Sequence, residues 1–102
     1  MLDRIKIGAI DYPILDRDDL HDNHKPLYGW IKFNTMEIIL STELGPQARY
    51  VVLWHEVVHG ILNHAGIDDS DEKLINALAY GVVQVLRDNP ALLTLLNEVY
   101  SG

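Results

Sequence analysis

The chain has no cysteine among its 102 residues. Disulfides and thiolate metal sites are therefore excluded, and histidine and carboxylate remain as metal-binding side chains. Positive charge is scarce: 8 Lys and Arg stand against 15 Asp and Glu, a formal net charge of −7. A chain with no broad basic footprint is not expected to bind nucleic acid. Long apolar runs are missing as well, so no window approaches a membrane span. Met1-Leu2-Asp3-Arg4-Ile5-Lys6 alternates charge with apolar residues and lacks the apolar core of a signal peptide. No membrane partner is expected, and the location is expected to be cytoplasmic. There is no internal repeat, linker or low-complexity segment, and the length suits one domain over 1–102. With 48% hydrophobic and 23% charged residues, the composition is that of a chain that folds.

From Arg4 to Leu15, apolar residues recur mostly at alternate positions, which predicts a strand broken or bent near Gly8 and Pro13. Asp16 to Pro26 is polar and reads as a loop with room for a turn of helix. Tyr28 to Lys32 and Met36 to Ser41 are short apolar runs separated by Phe33-Asn34-Thr35, as in a hairpin. After Gly45-Pro46 the period becomes helical. Pro46 suits a first turn and Gly66 a C-terminal cap, which predicts a helix over Pro46 to Ala65. A second helix is predicted from Asp69 or Ser70 to about Arg87, with Leu74, Ala77, Leu78, Gly81, Val82, Val85 and Leu86 as its apolar stripe. Asp88-Asn89-Pro90 ends it, and Ala91 to Tyr100 reads as a third. The expected class is α+β: a small antiparallel sheet of about three strands packed on the first helix, with two further helices.

The first helix carries His55-Glu56-Val57-Val58-His59. Two histidines four apart differ by about 40° around a helix and lie one turn apart, so both rings can face one ion. Glu56 is rotated by about 100° from His55, beside the ion but not on it, and is expected to take a proton from a bound water as general base. Zinc lowers the pKa of such a water to about 7, which makes hydrolysis of a polarised carbonyl the natural reaction. Val51, Val52, Trp54, Val58, Ile61 and Leu62 supply an apolar surround, and Glu56 is the only charge between Val52 and Ile61.

Catalytic zinc usually takes three protein ligands. Glu72 opens the second helix in line with Ala79 and Val83, so its carboxylate can reach a metal; it also reads as the end of a capping box, Asp69-x-x-Glu72. Asp71 points nearer the middle of the same arc but is shorter. His64, nine residues after His55, falls about 180° around a continuing helix and can instead interact with the last carbonyls. For oxyanion stabilisation His24, Tyr28 and Tyr80 are available, and none stands out.

The stretch Val52 to Ile61 resembles the extended zincin signature. With Tyr28-Gly29, Ile38-Ile39-Leu40, and Glu72 followed by Leu74-Ile75-Asn76-Ala77-Leu78-Ala79, the chain looks like a minimal member of the ImmA/IrrE group of zinc metallopeptidases, of phage or prophage type. The resemblance covers about Ile5 to Pro90. It implies a zincin-like fold, His55, His59 and Glu72 as zinc ligands, and Glu56 as base. It further implies a protein or peptide substrate that pairs by strand addition along Met36 to Ser41. Larger relatives carry additional terminal elements that build the substrate cleft, for which 102 residues leave no room. The alternatives are a catalytically silent zincin-fold interaction module with a phage regulatory role, and an acidic partner that binds a basic protein through Asp16 to Asp22. The sequence specifies neither substrate nor oligomeric state.

Overall fold

A computed structural model of the chain describes residues 2–101, so Met1 and Gly102 of the expected 1–102 domain lie outside the described residues. The alternating N-terminal segment is two strands, not one. β1 (Arg4–Ile7) turns back through Gly8-Ala9 into β2 (Ile10–Arg17), with Ile7 opposite Ile10 and Arg4 opposite Pro13. Gly8 has φ 60, the left-handed conformation that a glycine-first hairpin turn needs. Pro13 does not break β2. Ile14 N donates to Asp3 O on the β1 side, so the missing Pro13 N–H falls on the other side, one residue before the pairing there begins at Ile14.

The expected loop is instead an extended arm. β3 (His21–Asp22) and β4 (Lys25–Pro26) pair across Asn23 and His24, both at positive φ, and no turn of helix forms. The expected second hairpin is present as β5 (Gly29–Lys32) and β6 (Glu37–Ser41).

The sheet order is β1-β2-β6-β5, with β2 and β6 parallel and the other pairs antiparallel. The sheet is therefore mixed and four-stranded, not an antiparallel sheet of about three. The reason is the arm: it returns the chain level with the end of β2, with Gly29 and Asp16 both opposite Leu40, so β5 runs back against β2 and β6 fills the space between them in the direction of β2. β6 is consequently central, with Ile38, Ile39 and Leu40 fully buried. Both of its hydrogen-bonding sides are taken, so Met36 to Ser41 cannot receive an added strand; the open edges belong to β1 and β5.

Helix α1 (Pro46–His64) packs one face on β5, β6 and β1 and another on α2 (Glu72–Asp88). It ends at Gly66, φ 73, where Gly66 N donates to Asn63 O and Ile67 N to Leu62 O, a Schellman closure. Ile61, expected in the apolar surround of the motif, is exposed. On α2 the buried residues are Ile75 and Ala79, whereas Leu74, Leu78 and Val85 of the expected stripe face outward. Helix α3 (Ala91–Tyr100) follows Pro90 and buries none of its residues. Among the described residues no helix is long and apolar enough to cross a membrane.

α1 approaches the sheet closely at Gly60, where a Cβ would lie 2.8 Å from Ile7 Cδ1 and 3.1 Å from Ile31 Cδ1, both buried. Gly60→Ala gains roughly 1 kcal/mol of helix propensity but overpacks this contact, at a cost of about 1–3 kcal/mol. A lower urea midpoint with an unchanged m-value is expected; a midpoint equal to or above the parent's would mean that the two isoleucine ends yield freely.

Candidate metal centre

The helical spacing of His55 and His59 turns both imidazoles towards α2, and the loop from Gly66 to Asp71 carries the chain back across them. Glu72, first residue of α2, lies 2.9 Å by Oε2 from His55 Nε2 and 3.0 Å by Oε1 from His59 Nε2. The two Nε2 atoms are 3.2 Å apart. At this position the N-terminal helix dipole favours the Glu72 charge.

The far nitrogens fix what faces inward. His55 Nδ1 is 2.8 Å from Asn76 Oδ1, and His59 Nδ1 is 2.9 Å from Asp69 Oδ2. Each of these oxygens accepts, so each Nδ1 donates and each Nε2 is left with its lone pair. Two imidazole lone pairs and a carboxylate then converge with no donor among them, an arrangement that requires a proton or a cation at its centre. The separations suit a metal. A tetrahedron with bonds of about 2.0–2.1 Å has edges of about 3.3–3.4 Å; the two Nε2 atoms stand 3.2 Å apart, and one ligand atom from each of the three residues lies within 4.8 Å of the others. His55, His59 and Glu72 form a group that could hold a metal ion. Glu72 is 60% exposed and the histidines 19% and 13%, so the open side of the group is at Glu72.

Glu56 leaves α1 on the sheet side. Its Oε1 accepts from Ile31 N at 3.0 Å, and its Oε2 lies 4.0 Å from His55 Nε2. Gly29 makes room for it: a Cβ there would stand 3.2 Å from Oε2 and 2.6 Å from Val52 Cγ1. Only 6% of Glu56 is exposed. Burial pushes its carboxyl above the ordinary carboxylate range, against the pull of His55, His59 and the Ile31 N–H, and the charge of Glu72 adds to the rise.

The other candidates lie apart. Asp71 is the N-cap of α2, its Oδ1 accepting from Leu74 N at 3.2 Å, so the expected Asp69-x-x-Glu72 capping box does not form. His64 sits on the sheet side of α1 with Nε2 2.8 Å from the hydroxyl of buried Tyr12, and not on the last carbonyls. Tyr28 and Tyr80 are exposed and line a groove beyond Val52, while His24 belongs to the exposed arm. Sequence reasoning missed Asp69 and Asn76. Asn76 was findable, being a polar residue four after Glu72 on the same helical face; Asp69 lies in a loop whose path no periodicity describes.

Asp69→Ala is expected to weaken metal binding by about 10–100-fold, because the carboxylate holds the tautomer and ring orientation of His59. His64→Ala should leave metal affinity unchanged. Competition with a chromophoric chelator measures both, and equal effects of the two substitutions would contradict this division of roles.

No family model, no curated protein and no solved structure matches this chain. The chemistry of the cluster is therefore read from its geometry.

Proposed function

We propose that the chain is a zinc-dependent endopeptidase domain of zincin-like type, similar to the ImmA/IrrE group, acting on a protein or peptide. The observation that carries this reading is the convergence of His55 Nε2, His59 Nε2 and the Glu72 carboxylate, with Glu56 buried beside them on the next face of the same helix. An all-nitrogen-and-oxygen set of two histidines and one glutamate is a known catalytic zinc donor set, with one position left open. Zinc bound there would supply a Lewis acid and an acidified water.

The remaining steps fall to the chain itself. Glu56 is the carboxylate placed to take the proton of the attacking water and return it to the departing amine nitrogen. Its bond from Ile31 N holds Oε1, which leaves Oε2 towards the histidines. Asn76 and Asp69 keep both imidazoles in the Nδ1–H form. β5 is an open sheet edge, and with its Ile31 N–H already given to Glu56 it is through its remaining outward groups that an extended substrate can add.

Purified protein is expected to bind one Zn²⁺ per chain, with stoichiometry lost in His55→Ala and affinity sharply reduced in Glu72→Ala. Glu56→Gln should keep the metal and lower the cleavage of unfolded protein by about 10²–10⁴-fold. Stoichiometric zinc with no cleavage of any peptide library would leave a metal-binding interaction module. Absence of zinc binding would remove the reading altogether.

A further inference from the structure

Among the described residues the last helix packs little on its own chain, and none of its residues is buried. Leu92, Leu95, Leu96 and Val99 of α3 are 43%, 55%, 51% and 66% exposed. A 10-residue helix is shorter than the roughly 12–15 residues at which isolated helices become even marginal in water, so its order must come from packing. The whole surface is also too large. It measures 7251 Å², whereas a compact monomer of 11.6 kDa exposes about 5,800 Å². The radius of gyration, 14.4 Å, likewise exceeds the roughly 12.8 Å expected for this length.

An apolar groove opens beside α3, between the N-terminal half of α1 and the C-terminal half of α2. Val51, Val52, Tyr80, Val83 and Leu86 line it, and α3 of the same chain reaches it only through Leu93. From Tyr80 to Arg87 it runs about 10 Å along α2, within the roughly 15 Å length of α3. The charges match as well. Among the described residues Arg87 is the only charged one lining the groove, its Nε donating to Asp88 Oδ1 at the rim with its terminal nitrogens left for a further partner, and Glu98 is the only charged residue of α3.

We propose that the chain forms a two-fold dimer in which α3 of each copy lies in the groove of the other, with Glu98 against Arg87 across the interface. A helix and its complementary groove on one chain give an isologous, closed contact that is made twice. The excess surface, about 1,400 Å² per copy, would bury about 2,800 Å² in the pair, within the range of obligate homodimers. The groove begins at Val52, one helical turn from Glu56, so the second copy's helix would wall the approach to the metal centre. The dimer does not depend on the metal or on peptidase activity.

Sedimentation equilibrium of the full chain should give twice the monomer mass. Leu96→Glu, an exposed position in the monomer, should yield a folded monomer by circular dichroism. Arg87→Glu and Glu98→Arg should each weaken the dimer by about tenfold. Mixing these two variants should restore it, because each cross-contact then joins opposite charges. Restoration only when both changes are in one chain would mean that α3 folds into its own groove, and would overturn the proposal. So would a wild-type chain that remains monomeric at about 100 μM, well above a micromolar dissociation constant, which would leave this face to a different protein.

Discussion

The contact on which the site depends is the single carboxylate of Glu72 lying against two imidazoles that α1 presents one turn apart. It fixes the rotation of α2. With Glu72 turned to the histidines, Asn76 comes round to His55, and Ile75 and Ala79 close against α1. The same rotation leaves Leu74, Leu78 and Val85 facing outward. The stripe that looks like core by period is thus turned partly outward, and Ile75 and Ala79, each one residue on from Leu74 and Leu78, take the buried side.

α1 serves both sides of the molecule because its neighbouring residues differ by about 100°. His55 and His59 face α2, whereas Glu56 one residue on is pressed against β5 and bonded by its backbone. His64, two and a half turns on from His55 and so on the opposite side of the helix, reaches the sheet and Tyr12. Gly60 lets the helix lie close enough for Glu56 to reach Ile31, and Gly29 spares the space that its carboxylate fills. Sheet, helix and site are therefore one packing problem. The backbone amide that steadies Glu56 belongs to a strand positioned by β6.

Much of this was legible in the sequence. The three helices fall close to their expected spans, since Pro46, Gly66 and Pro90 act on the backbone wherever they occur. The hairpin of β5 and β6 was equally plain, and the spacing of His55, Glu56 and His59 specified which groups would be neighbours and which would be offset. Glu72 was reachable from its place in line with Ala79 and Val83. Less legible were the turn at Gly8, read as a bend in one strand, and the role of Asp69, read as a cap and found on His59.

By itself the sequence determined the local matters: where helices begin and end, and which side chains share a helical face. Capping, chain stiffness and the 3.6-residue period act over a few residues and need no knowledge of the rest of the fold. Only the tertiary structure decided the parallel pairing of β2 with β6, the burial of β6 on both sides, and the partners of the two Nδ1 atoms. It also left α3 uncovered. These depend on which distant segments meet, and hydrophobic burial, which drives the meeting, is non-directional and does not name its partner.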